Sequence, residues 1–150
     1  MKNIVAVILL ASSLILSGCG ANSHGAGNIN GTWNATMSDS GVETLGFVTN
    51  LTVNGDGSLG TTSLNITVNN TTCAFPTVTE TGTFTLSGNF NGQVSGTLHY
   101  VVTSTGTFIN VLTLDGTVKS GQITGKWTLA GTSGGCHGQG TFTMIPMPSA

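Results

Sequence analysis

Residues 30–37 read Asn-Gly-Thr-Trp-Asn-Ala-Thr-Met, and this stretch decides the fold class of the chain. Small or apolar residues stand at the odd positions Gly31, Trp33, Ala35 and Met37, with polar residues between them. A period of two places alternate side chains on opposite faces of a β-strand. The stretch therefore predicts a strand with one buried face, starting near Ile29.

Seven further segments with strand-like patterning follow, separated by turns rich in Gly, Asn and Asp. The 26 threonines favour strands, and the 23 glycines supply turns. Consecutive antiparallel strands form a meander, and pairing the last strand with the first would remove both open edges. We predict an all-β domain over residues 29–146, a closed antiparallel up-and-down barrel of eight strands; the alternative is a two-sheet β-sandwich. The further strands are predicted at Glu43–Asn54, Leu59–Val68, Val78–Gly88, Gln93–Thr103, Phe108–Val118, Ile123–Leu129 and Cys136–Met144.

The first 28 residues have a different composition. Lys2 gives a positive start, and residues 4–16 form an apolar run shorter than the roughly 20 residues that a spanning helix needs. The following Leu16-Ser17-Gly18-Cys19 resembles the lipobox of bacterial lipoproteins. The resemblance implies a signal peptide at 1–18, a lipid on Cys19 and a membrane anchor, with residues 19–28 as a flexible tether. An ordinary secretory signal followed by an unrelated cysteine is the alternative.

The same resemblance bears on location and on the other cysteines. Gly20 follows the lipidated position, which implies delivery to the outer membrane of a two-membrane bacterium, without specifying the periplasmic or the external face. Lipidation of Cys19 leaves Cys73 and Cys136 in an oxidising compartment, where we expect them to form a disulfide. In an eight-stranded meander both would lie at the rim opposite Cys19. Two free buried thiols are the alternative.

Short motifs resemble the calycins, the group that contains lipocalins and avidins. They include Gly31-Thr32-Trp33, Trp127-Thr128-Leu129 and Gly140-Thr141-Phe142. The resemblance implies a calycin-like barrel. It does not extend to biotin, because Ala35 and Gly140 stand where avidins have a binding Asn and Asp.

Two functions are compatible with a barrel of this kind. In the first, the domain is a non-enzymatic structural or surface-interaction protein, and its inward rings only fill the core. In the second, it is a calyx-type binding protein for a small apolar or glycan ligand. The residues that would line such a calyx are Trp33, Phe47, Phe84, Tyr100, Trp127 and Phe142.

Several functions have little support in the residues. The chain has three lysines and no arginine, so it lacks the basic clusters that nucleic-acid binding requires. Gly131–Gly135 fits Gly-x-Ser-x-Gly, but it is predicted as a hairpin loop and no acid follows it. The histidines His24, His99 and His137 lack the spacing of metal ligands. We expect no metal or other cofactor.

The carboxylates do not form an evident catalytic pair. Asp56 and Asp115 precede glycines in predicted turns, which leaves Asp39, Glu43 and Glu80 for acid–base chemistry. Asp39 and Glu80 are expected to approach the rim that carries the cysteines, but no pattern sets two carboxylates at glycosidase spacing. We therefore expect that the protein is not an enzyme.

The fifth and sixth predicted strands depart from clean alternation. Val101, Ile109 and Val111 are apolar on a face expected to be wet, opposite a face that includes Phe108 and Leu112. Exposed apolar clusters often mark interaction surfaces. We predict a self-association or protein-partner patch at Val101, Ile109 and Val111, with a slightly apolar but solvated face as the alternative.

Overall fold

A computed structural model of the protein describes residues 29–60, 64–90, 93–132 and 134–148. The expected signal peptide, the lipidated Cys19, the tether with His24, and Ser133 of the Gly-x-Ser-x-Gly match lie outside the described residues. Within the described ranges, no helix is long and apolar enough to cross a membrane.

The described residues form one antiparallel sheet of eight strands, which confirms the all-β prediction and its strand number. Across the sheet the strands run in the order β3-β2-β1-β8-β7-β6-β5-β4, so β8 pairs with β1 as the closure argument expected. The strands are β1 (Gly31–Asp39), β2 (Val42–Leu51), β3 (Leu64–Asn69), β4 (Val78–Phe90), β5 (Gln93–Ser104), β6 (Asn110–Lys119), β7 (Gln122–Gly131) and β8 (His137–Pro146).

The prediction of a closed barrel is wrong at one point. The sheet is strongly curled into a half-barrel, but it is open, with β3 and β4 as its two edges. The two-sheet sandwich is also not observed, because all eight strands belong to one sheet. The opening therefore lies between consecutive strands in the middle of the chain and not between the first and last strands.

The predicted third strand, Leu59–Val68, explains the opening because it is divided. Residues 64–69 form β3 beside β2. Leu59, by contrast, donates a backbone hydrogen bond to Gly82 of β4 (2.9 Å), and Phe84 of β4 donates one to Gly57 (2.7 Å). Part of the edge of β4 is thus occupied by the chain ahead of β3, and β3 itself does not reach it.

Two rims follow from the antiparallel topology. The N-terminal rim contains the start of β1, the end of β2 and the end of β8, at Gly31, Leu51 and Pro146. The disulfide rim contains the opposite strand ends and carries Cys73 and Cys136. These two cysteines are bonded, with their Cα atoms 5.0 Å apart, so the predicted bridge and its rim are confirmed.

Glycines make room for rings on the concave face. Trp127 reaches across β8, and a Cβ placed on Gly138 or Gly140 would lie only 2.8 Å from a Trp127 ring atom. Phe142 lies over Gly116 of β6 in the same way, at 2.7 Å. A tightly curled sheet leaves little room inside. Glycines allow the strands to bend, and because they have no side chain they also leave space for a neighbouring ring.

Two side chains that alternation predicts to face the core are exposed. Leu86 is 49% exposed, although it pairs with Gly96 in the same register that pairs Phe84 with Leu98. Phe108 is exposed because β6 begins only at Asn110, which leaves Phe108 in the connection ahead of the strand. Alternation predicts the face of a strand on which a side chain lies, but not where the strand begins or whether other residues cover that face.

Candidate functional site

The six aromatic residues expected to line a calyx all lie in the buried core. Phe47 of β2 and Tyr100 of β5 approach with ring centroids 6.1 Å apart, although they stand on well-separated strands of the sheet. The Trp33 indole donates a hydrogen bond to the carbonyl oxygen of Ile29 (2.8 Å), and that of Trp127 donates to Ser38 (3.2 Å). The six, which belong to a single hydrophobic cluster, are Trp33, Phe47, Phe84, Tyr100, Trp127 and Phe142.

In this arrangement the six aromatic rings pack against one another and fill the core. Each indole nitrogen is satisfied by a backbone carbonyl, which is the usual requirement when tryptophan is buried. Their role in binding a ligand stays a prediction.

A buried polar cluster inside the half-barrel is the main feature that the sequence did not reveal. Glu80 of β4 is 7% exposed and accepts a hydrogen bond from the hydroxyl of Tyr100 on β5. Thr49 of β2 also donates to Glu80 (Oγ1···Oε2 3.2 Å) and lies 3.1 Å from the Tyr100 hydroxyl oxygen. We call Thr49, Glu80 and Tyr100 the Glu80 cluster.

The Glu80 cluster connects strands that are far apart in the sheet. β4 is one edge of the sheet and β2 stands next to the other edge, and five other strands separate them along the sheet. The curl brings their side chains within hydrogen-bonding distance, so the cluster joins the two ends of the sheet from inside. Glu80 lies two residues after the start of β4, near the disulfide rim as expected, but its side chain is buried inside the half-barrel.

A short signal could have located Glu80. It is in phase with Phe84 on β4, two alternations away, and Phe84 was correctly expected to face inward. Strand alternation places residues i, i+2 and i+4 on one face. The residue type points the other way, because carboxylates are rarely buried unless they are paired.

The other carboxylates lie apart from this cluster. Asp39 and Glu43 are exposed at the disulfide rim. Asp56 lies in the turn after β2, where the side chain and backbone N–H of Ser58 donate hydrogen bonds that lower the pKa of the Asp56 carboxyl.

His99 and Asp115 form an exposed pair on the convex face. The Nδ1 atom of His99 on β5 lies 2.6 Å from Oδ1 of Asp115 on β6, and Lys126 stands opposite Asp115 on β7. Thr83 stands opposite His99 on β4, so these four residues form one cross-strand row. Such solvent-exposed pairs contribute at most about 1 kcal/mol to stability.

The described residues contain no group of three or more His, Cys, Asp or Glu side chains arranged to hold a metal ion. The connection at Gly131–Gly135 leads directly from β7 to β8, so no helix follows the Gly-x-Ser-x-Gly match. A nucleophile elbow requires a strand, a sharp turn and a helix.

The predicted partner patch lies near the disulfide rim. Ile109 is 53% exposed, whereas Val101 and Val111 are partly buried on the convex face. Ile109 is held by Thr132, which accepts a hydrogen bond from the Ile109 N–H (3.1 Å) and donates its own N–H to the Ile109 carbonyl (3.0 Å). Phe108, also exposed, extends the apolar surface.

The disulfide rim is the most strongly cross-linked part of the described chain. The Asn110 side chain, which is buried, donates to the carbonyl of Ala74 (2.7 Å), and Thr72 donates to the carbonyl of Gly135 (3.0 Å). Together with the bridge between Cys73 and Cys136, these bonds fix the connection from β3 to β4 across the end of the half-barrel.

Comparison with protein-family models, curated proteins and solved structures found no match for the chain.

Proposed function

We propose that the protein is a lipid-anchored envelope protein whose β domain acts through its surface and not through catalysis. The observation that carries the proposal is the bond between Cys73 and Cys136. Structural disulfides persist in oxidising compartments outside the cytoplasm, which fits export. The resemblance of Leu16–Cys19 to a lipobox supplies the means of attachment.

The geometry of the domain is compatible with this role. The described chain begins at Ile29, beside the N-terminal rim, and the disulfide closes the opposite rim. A domain attached through residues 19–28 would therefore carry its cross-linked end away from the membrane. We place it at the outer membrane, because Gly20 and not Asp follows Cys19.

Replacement of Cys19 by Ala tests the anchor. The variant should be exported without acylation and should be recovered in the soluble envelope fraction, because the thioether to the lipid forms on the Cys19 sulfur. Metabolic labelling with a radioactive fatty acid measures this, with Cys73→Ala as the matched control that should keep its label. Labelling of the Cys19→Ala protein would refute the anchor.

We further propose that Val101, Ile109 and Val111 form a surface for self-association or for a protein partner. Support comes from the exposure of Ile109 and of the adjacent Phe108 in the connection that leads into β6. The pair Ile109→Thr and Val111→Thr keeps strand-compatible, β-branched residues, so the fold should persist. In sedimentation of the soluble Cys19→Ala protein, we expect these changes to lower the mass of any oligomer.

Thr113→Ser, on the same strand and face as Val111, is the matched control for the patch, because it changes the neighbouring surface and leaves Val101, Ile109 and Val111 in place. A monomeric Cys19→Ala protein would rule out self-association and leave only a different protein as the partner. Unchanged mass of an existing oligomer after both substitutions would contradict the assignment of this patch.

A further inference from the structure

Three large apolar side chains are exposed at or near the N-terminal rim. Ile145 is 43% exposed on β8, and Met147 follows two residues later at 39%. Met147 continues the strand, since its N–H donates to the carbonyl of Thr32 on β1 (2.8 Å). The third side chain is Leu86. It lines a groove whose opposite wall is the turn at residues 53–57, which follows β2 at this rim.

The rim also carries little charge. Among the described residues, Asp56 in the turn after β2 and Lys119 at the end of β6 are its charged groups, one of each sign. A surface with balanced charge and exposed aliphatic groups can approach the uncharged headgroup region of a bilayer without a large desolvation penalty.

The length of chain ahead of the domain limits which rim can face a membrane. Nine residues, 20–28, separate Cys19 from Ile29, which is buried and accepts the hydrogen bond from Trp33. Whatever their conformation, the ten steps from Cys19 to Ile29 span at most about 35 Å. A ten-residue strand such as β8 is itself about 33 Å long. Strand tilt in a curled sheet shortens the distance between the rims to about 25 Å, so the disulfide rim could reach the membrane only if most of the linking chain ran along the domain.

We infer that the N-terminal rim is a membrane-contact surface, and that Ile145 and Met147 rest in the headgroup layer of the bilayer that holds the lipid on Cys19. This inference depends on the proposed anchor and adds to it a membrane-contact surface at Ile145 and Met147. The contact is too small to bind a membrane alone, but the anchor makes it intramolecular, and weak contacts are then occupied through a high effective concentration.

The test places a new fluorophore at each rim of the lipidated full-length protein. Met147→Trp reports on the N-terminal rim, and Phe108→Trp, at an exposed aromatic position, is the matched control at the disulfide rim. Trp33 and Trp127 are both almost fully buried, so the unsubstituted protein gives the background emission. The probe is a phosphatidylcholine vesicle whose acyl chains carry bromine near the headgroup, a quencher of short range.

We expect the emission added by Met147→Trp to shift to shorter wavelength and to be quenched, whereas the emission added by Phe108→Trp stays unquenched. Ile145→Trp provides a second reporter if the first variant folds poorly. If the protein floats with the vesicles but neither N-terminal-rim tryptophan is quenched, the membrane-contact surface is wrong and the anchor stands. If the protein fails to float with the vesicles, both the anchor and the membrane-contact surface are refuted.

Discussion

At the scale of single residues, Glu80 shows how a polar group can be required inside an apolar core. Its carboxylate oxygen Oε2 accepts hydrogen bonds from Tyr100 and Thr49, so a single atom links β4 to β5 and β2. A buried acceptor left without donors, or a donor without acceptors, costs about 1–3 kcal/mol. The cluster therefore stabilises one arrangement of the curled sheet over looser ones.

Removing one hydroxyl from the cluster should destabilise the protein measurably. We expect Tyr100→Phe to lower the free energy of unfolding by about 1–3 kcal/mol, because Glu80 loses a donor while the ring still packs. Urea denaturation measures the loss. Thr49→Val and the double variant complete a cycle, in which a coupling energy of about 0.5 kcal/mol or more is expected for groups in one network.

The matched control for the cluster is Thr97→Val, an exposed β-branched position on the same strand as Tyr100. It should change stability by less than about 0.5 kcal/mol. Additive effects of Tyr100→Phe and Thr49→Val would contradict a shared network.

At the scale of the strands, close packing of β1, β7 and β8 depends on Gly140. A Cβ at this position would lie 2.0 Å from the carbonyl oxygen of Ser38, the same atom that accepts the hydrogen bond from Trp127. Neither the strand backbone nor the indole can move independently, because the three elements meet at this point. Gly140 therefore serves packing here, at the position where the avidin resemblance would have placed an Asp.

Gly140→Ala should separate β1 from β8 locally and destabilise the protein by about 3 kcal/mol, at the upper end of overpacking effects. Thermal unfolding followed by near-ultraviolet circular dichroism would detect both the loss and the altered environment of Trp127. Gly134→Ala, where a Cβ meets no atom within 4 Å, is the control and should have little effect. Equal stability of the two variants would show that the backbone yields more easily than the geometry indicates.

At the scale of the whole molecule, the disulfide compensates for the missing pairing between β3 and β4. The bridge spans 63 positions and ties the connection between these strands to the start of β8. In the chain-entropy model, closing a loop of this length stabilises a protein by roughly 4 kcal/mol. An open sheet edge is otherwise a place where strands can separate or pair with other chains.

Replacing both cysteines, as Cys73→Ala with Cys136→Ala, should lower the free energy of unfolding by about 4 kcal/mol under oxidising conditions. Reduction of the unsubstituted protein should produce a comparable loss, whereas the double variant should not respond to reductant. Chemical denaturation with and without dithiothreitol makes this comparison. A reductant-insensitive parent protein would contradict the bridge.

Several features followed from the sequence because they depend on local chemistry. The alternation around Trp33 and Tyr100, together with the turn residues, determined the strand class, and eight strands were expected and found. The bridge between Cys73 and Cys136 followed from counting cysteines and strand directions. The lipid on Cys19, the membrane location and the partner patch stay predictions.

Only the tertiary structure decided where the sheet opens and what closes it from inside. Periodicity places Leu59 and Leu64 in one strand, but Leu59 donates a hydrogen bond to Gly82 of β4, whereas Leu64 pairs with Thr49 of β2. The contact of Thr49 with Glu80 joins residues 31 positions apart that no local pattern connects. Alternation reports only which face a side chain occupies, whereas curvature and edge pairing result from the energy of the whole sheet.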